Sequence, residues 1–308
     1  MSDGQNSIVV AITGASSGIG LATARACASR GYHLVLGARS EKSLAVAAKS
    51  CEELGAASVL AQPVDVADPG SVTRFFAAVQ AHSPQLDAVV HSAATMAYGR
   101  LEQLDERVFQ SITRTIIEGT FAVARGALRI FREQGRGTLV VVNSLVGTIA
   151  APDLGAYVTA KWGQAGLLRT LQLETRDQPS IAVCSVAPGG VNTPIYRQAA
   201  NITGRSAKPP IPVDPPEKVA EAILGCLDRP RPRVSVGLAN PLIRFGFHAL
   251  PRLYDALVGP LLSRLSLTGP ATEPSTGNVF VPVPEGESLH GPWQRRWREL
   301  GRQRRWRE

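Results

Sequence analysis

Tyr157 and Lys161 stand four residues apart in the run Tyr157-Val158-Thr159-Ala160-Lys161. On a helix that spacing puts both side chains on one face. A free phenol titrates near pH 10 and is a poor acid or base at neutrality. An ammonium beside it favours the phenolate and brings the group into a useful range. The pair therefore suits proton transfer to and from an oxygen atom. Ser144 lies thirteen residues before Tyr157, just past an apolar run, with Gly147 three residues further on. By itself it reads as the cap of a strand end.

A second constellation lies near the N-terminus, where an apolar run from Ile8 leads into Thr13-Gly14-Ala15-Ser16-Ser17-Gly18-Ile19-Gly20. Gly14 permits a tight turn off the strand, Gly18 removes a side chain where a diphosphate must approach, and Gly20 lets a helix pack on the sheet. Ser16, Ser17 and Ile19 complete the turn and place a helix N-terminus, with its free amides and positive dipole end, against the phosphates. The next apolar run ends Leu36-Gly37-Ala38-Arg39-Ser40. A carboxylate at this point would hold the ribose 2′-hydroxyl of NAD, and none is present. Arg39 can instead grip a 2′-phosphate with two parallel N–H donors. The expected cofactor is NADP(H).

The Thr-Gly-x-x-x-Gly-x-Gly turn, together with the Tyr-x-x-x-Lys pair, resembles the fingerprint of the short-chain dehydrogenase/reductase family, in its NADP-preferring branch. The resemblance runs over roughly residues 8–236. It implies that Ser144, Tyr157 and Lys161 are catalytic: Ser144 positions the reacting oxygen, Tyr157 exchanges the proton, and Lys161 also bonds the nicotinamide ribose. It further implies that Asp65 and Val66 flank the adenine, although Asp65 reads equally well as a turn or helix cap. The loop Pro188-Gly189-Gly190-Val191-Asn192-Thr193 is similar to the family's Pro-Gly-x-Val-x-Thr, with Pro188, Gly189, Val191 and Thr193 at the nicotinamide. Two departures stand out. The fourth strand ends His91-Ser92-Ala93-Ala94 where the family has Asn-Asn-Ala-Gly, which keeps Ala93 small beside the dinucleotide but loses the asparagines. Ile116 takes the place of a helix asparagine that anchors a water near the lysine. Thr115 or Thr113 would substitute only if the helix bulges there.

These residues need a scaffold, and the hydrophobic pattern supplies one. Strand-like runs fall at Ile8–Thr13, His33–Ala38, Ser58–Pro63, Leu86–His91, Thr138–Asn143, Ile181–Val186 and Arg233–Val236. Helical stretches separate them, including one long stretch from about Leu101 to Glu133 and another over Leu154–Thr175. Such alternation predicts an α/β fold: a doubly wound, Rossmann-like parallel sheet whose ligands bind beyond the carboxyl ends of its strands. The expected organisation is a catalytic domain over 1–240, an apolar cap segment over 241–267 broken by prolines, and a basic tail over 268–308. Pro194 to Pro212 is expected to form a mobile lid.

The chain has 308 residues, of which 44% are hydrophobic and 19% charged, as in an ordinary globular protein. Its net charge of +8 is uneven: the last eighteen residues carry seven Arg and two Glu. Trp293, Trp297 and Leu300 there would share one helix face. No nucleic-acid fold accompanies this tail, so nucleic acid is not an expected partner, whereas a peripheral membrane contact is open. Four scattered cysteines show no metal-ligand spacing, and no metal is expected. With no leader-like segment and no run of about 18 apolar residues, a cytoplasmic protein is expected. The function that follows is reversible hydride transfer between NADP(H) and a carbonyl or secondary alcohol, on an apolar small molecule, in a homodimer or homotetramer. The competing reading is a dinucleotide-binding sensor or scaffold of the same fold that turns over weakly or not at all.

Overall fold

Strands buried on both faces read as unbroken apolar runs, and Val9–Thr13 (β1) is buried at every position. Six more strands join it: His33–Ala38 (β2), Ser58–Pro63 (β3), Ala88–His91 (β4), Gly137–Val142 (β5), Ile181–Pro188 (β6) and Arg233–Val236 (β7). The computed structural model describes residues 8–294. Its sheet runs β7-β6-β5-β4-β1-β2-β3, with every pair parallel. The order reverses between β1 and β4, whose ends stand in register at Thr13 and His91. That switch point opens a crevice beyond the strands' carboxyl ends.

Helices cover both faces. Gly18–Ala28 (α1), Glu41–Glu53 (α2) and Pro216–Asp228, here α7, enclose one apolar core with the sheet. Pro69–His82 (α3), Gly119–Gln134 (α5) and Gly155–Glu174 (α6) enclose the other. Local sequence sets their ends. Asp68 caps α3 by accepting from the Gly70 N–H at 2.8 Å, with Pro69 in the first turn. Gly135, at φ 76°, terminates α5 in the left-handed region.

The helical stretch expected from Leu101 to Glu133 is interrupted. A 3-10 turn at Leu101–Gln103 ends at Leu104, and Asp105 then caps a fresh helix, Glu106–Thr113 (α4), by accepting from the Arg107 N–H at 2.8 Å. Arg114–Glu118 forms a π turn before α5. Two further helices, Asn240–Ala249 (α8) and Pro251–Ser266 (α9), make up the apolar segment; the break falls at Pro251, and Pro260 is absorbed inside α9.

The segment expected as a mobile lid is packed over its first half. Ile195–Gln198 forms one helical turn, and Ala200–Asn201 pairs in parallel with Ala97–Tyr98. What holds it is the chain beyond residue 270, which was read from sequence only as a tail. Asn201 and Ser275 exchange backbone bonds, and the Asn278 N–H donates to the Gln198 carbonyl at 2.8 Å. Val279 is 2% exposed and fills an apolar cluster with Ala97, Ile112, Ile116, Ala160 and Ala200. Trp293 stacks edge-on against Tyr196. Trp297 and Leu300, which would complete the expected helix face, lie outside the described residues. Among the described residues no helix is long and apolar enough to cross a membrane.

Candidate active site

The candidate catalytic and cofactor-binding residues, all except Gly20, line one continuous cleft of about 770 Å³ at the carboxyl ends of the strands. Gly20 serves from behind: a Cβ there would lie 2.0 Å from the Gly14 carbonyl oxygen. Gly14, at φ 73°, turns so tightly against the end of β4 that a Cβ would come within 2.7 Å of the Ala93 nitrogen. Both obstacles are backbone and cannot swing aside. Gly20→Ala should therefore cost about 1–3 kcal/mol of unfolding free energy, visible as a lower urea midpoint.

Around this turn, α1 opens with Gly18 and Ile19 at the cleft, without a side-chain cap on its first turn. The Gly18 N–H donates to the Ser288 carbonyl at 3.0 Å. Ile19 N–H is a first-turn donor with no acceptor inside the helix. Arg39 lies at the far end. Its Nη2 donates to the Asn278 carbonyl at 2.7 Å and its Nη1 to the Val279 carbonyl at 3.4 Å. Burial lowers its pKa, while the nearby charges of Asp65 and Glu287 act the other way. Asp65 has a double placement: it lines the cleft, and its Oδ1 caps a turn by accepting from the Ala67 N–H at 2.9 Å. Residues 270–293 thus form a strap against the crevice, with Asn278 and Glu287 in its lining. Its apolar piece, Asn278-Val279-Phe280-Val281 after Gly277, was the signal that sequence reading passed over.

At the opposite end, Ser144 lies two residues past β5. Its hydroxyl accepts from the Val146 N–H at 3.4 Å, capping the 3-10 turn Leu145–Gly147 instead of the strand, and the side chain also reaches the Tyr157 hydroxyl. Burial and the neighbouring Tyr196 raise the Tyr157 pKa well above that of a free phenol, against a smaller lowering by the Ser144 hydrogen bond. Tyr157 therefore keeps its proton at neutral pH, and the lowering of its pKa expected from a neighbouring ammonium does not occur in this arrangement, where burial dominates. Lys161 is 1% exposed and does not point at the phenol. Its Nζ donates to the Val142 carbonyl at 2.8 Å and to Gln164 Oε1 at 2.9 Å, and sits 5.7 Å from the centre of the Tyr157 ring. Thr193 packs its methyl group against Gly18, joining the loop after β6 to the glycine turn.

Burial pushes the Lys161 pKa down to about 7. The sign of the linked stability follows. Below pH 7 both folded and unfolded states carry the proton, and the cost of burying the charge is fully present. From about pH 7 to the ordinary lysine value of 10.5 the unfolded chain holds more protons, so stability rises with pH. Lys161→Met should thus be most favourable relative to wild type at pH 6. That advantage should shrink by on the order of 2–4 kcal/mol by pH 10 in urea titrations.

The two departures have structural answers. His91 replaces an amide with an imidazole whose Nδ1 lies 2.7 Å from Thr13 Oγ1, tying β4 to β1. Burial and the Lys161 charge bring its pKa down to about 3, so it is neutral, and its Nε2 is buried without a partner. The helix does bulge at Ile116: the π turn buries Ile116 and brings Thr115 to the cleft wall. Thr113 instead turns its hydroxyl back to the Phe109 and Gln110 carbonyls. Among the described residues no group of three or more His, Cys, Asp or Glu could hold a metal ion.

A seven-stranded doubly wound sheet, with a glycine turn at its switch point and a serine, tyrosine and lysine across the crevice, defines a class of nicotinamide-dependent oxidoreductases. The model of the short chain dehydrogenase family matches residues 8–202, and the chain belongs to that family. Among its relatives, D-beta-hydroxybutyrate dehydrogenase of Rhizobium meliloti is 31% identical over 188 residues, 61% of this chain and 72% of that one. Cis-4-hydroxycyclohexanecarboxylate dehydrogenase of Sinomonas cyclohexanicum is 32% identical over 70% of this chain and 87% of its own. The alcohol dehydrogenase of Thermococcus sibiricus, solved in complex with 5-hydroxy-NADP, superposes with a TM-score of 0.64 at 32% identity, over 75% of this chain and 94% of that one.

Proposed function

We propose that the protein is an NADP(H)-dependent oxidoreductase that interconverts a carbonyl and a secondary alcohol on an apolar small molecule. The observation that carries this is the meeting of Ser144, protonated Tyr157 and buried Lys161 at one end of a crevice whose other end holds Arg39. The residues fit the dinucleotide. The glycine turn keeps side chains off its path, the Ile19 N–H offers a phosphate donor, and a guanidinium waits where a 2′-phosphate would lie. The relative from Thermococcus sibiricus, solved with a modified NADP, supports the same reading. When bound, the nicotinamide supplies the hydride. The chain supplies the rest: Ser144 and Tyr157 hold the carbonyl oxygen, and Tyr157 delivers its proton as negative charge builds there. The reading is tested by following NADPH consumption over a panel of ketones and aldehydes. If NADPH binds tightly and no carbonyl is reduced, the sensor or scaffold reading takes its place.

The apolar character of the substrate rests on α8 and α9. Leu242, Phe245, Leu253, Leu257 and Leu261 line the cleft and are each more than half exposed, so water contacts them until something apolar covers them. Tyr254 pins this wall to the body, its hydroxyl donating to the Ala150 carbonyl at 2.7 Å. Assembly as a homodimer or homotetramer through α5 and α6 is supported by Phe121 and Leu173, 55% and 48% exposed on those helices. A reducing compartment such as the cytoplasm suits four buried, free cysteines.

A further inference from the structure

We propose that Gln164, oriented by Thr120, is the positioning residue that holds Lys161 in place and keeps it charged. The inference rests on the oxidoreductase reading for its kinetic consequences, but not for its first test. Lys161 and Gln164 stand one turn apart on the same face of α6, and Gln164 and Thr120 are both fully buried. Gln164 Oε1 accepts from Lys161 Nζ at 2.9 Å, and its Nε2 donates to Thr120 Oγ1 at 2.7 Å. The Thr120 hydroxyl in turn donates to the carbonyl of Ile116, inside the π turn.

The direction of this chain is what matters. Because the Thr120 proton is committed to the Ile116 carbonyl, its oxygen can only accept from Gln164. The amide must therefore present its NH₂ to Thr120 and its oxygen to the lysine. Turned over, it would set NH₂ against an ammonium and leave its oxygen facing a hydroxyl with no proton to give. A buried amide costs free energy unless bonded, and an aliphatic residue would fill the space without that demand. The polar chain thus gives Lys161 a fixed second acceptor beside the Val142 carbonyl, and both acceptors favour the ammonium against the burial that opposes it. The titratable groups facing Lys161 are Tyr157 on its own helix and the neutral His91 on β4. Neither is an anion at neutral pH, so these oxygens are what hold the charge.

The experiment uses the full chain with ¹⁵N-labelled lysine. Only five lysines are present, so the Lys161 ammonium signal is assigned by its loss in Lys161→Met. Gln164→Leu should lower the pH at which Lys161 titrates, and Gln164→Glu should raise it. Thr120→Val should shift it in the same direction as Gln164→Leu, whereas Thr120→Ser should keep the wild-type value. In NADPH-driven reduction the fall in kcat with rising pH should move with these midpoints, and Gln164→Leu should lower kcat about 10- to 100-fold with little change in the KM for NADPH. Folded Gln164→Leu and Thr120→Val proteins that titrate at the wild-type pH would overturn the proposal. Shifted titrations without any carbonyl reduction would instead sink the oxidoreductase reading and leave this one standing.

Discussion

Replacing Tyr157 by phenylalanine should reduce carbonyl turnover by a factor of about 10²–10⁴ while leaving NADPH affinity within about twofold. The asymmetry follows from placement. The ring is half-buried against the cluster that includes Ala97, Ala156 and Ala160, and phenylalanine keeps all of that packing. What is lost is one hydroxyl, which faces the cleft, holds its proton at neutral pH and meets the Ser144 side chain. Water could donate a proton instead, but without fixed geometry and against a largely apolar wall. The measurement is steady-state NADPH oxidation beside a fluorescence titration of NADPH binding. Retained turnover in the variant would remove Tyr157 from the chemistry and make Lys161 the next proton donor to examine.

Arg39→Ala should weaken NADPH binding about 10- to 100-fold, the worth of one or two charge-assisted hydrogen bonds to phosphate, and leave NADH binding nearly unchanged. A comparison of the two dinucleotides is essential because Arg39 has a second task. It also holds the strap through the carbonyls of Asn278 and Val279. A loosened strap would affect both cofactors alike, since they share everything except the 2′-phosphate. The ratio of dissociation constants therefore isolates the phosphate contact. Equal weakening of both would show Arg39 to be a strap anchor alone and would end the case for NADP.

The frame of the molecule was legible because its central strands are buried on both faces. Val9–Thr13, His33–Ala38 and Ala88–His91 carry no polar interruption strong enough to disguise them, and the turns between obey local rules. Site residues were legible for a related reason: Gly14, Tyr157 and Lys161 answer needs of backbone space and proton chemistry that few other residues meet. What escaped depended on contacts distant in sequence. Nothing local marks Val279 as a core residue, since its partners Ala97, Ile112 and Ala160 lie more than a hundred residues away. Gln164 looked like any polar position on α6 until the fold set Thr120 against it. The π turn was anticipated only as a condition for Thr115 to reach the site, because one extra residue in a helical turn leaves no periodic trace.

The strap also sets a timetable. Chains fold largely in the order in which they are made, and the sheet from β1 to β7 is complete by residue 236. Val279, which seals the cluster behind the cleft, follows the end of β7 by 43 residues. While it emerges from the ribosome, the newborn protein therefore holds a finished sheet with an open crevice, and Arg39 and the Gly18 amide still face water. Closure waits for the strap beyond residue 270, so a ribosome that stalls short of it leaves a folded sheet with an unguarded crevice.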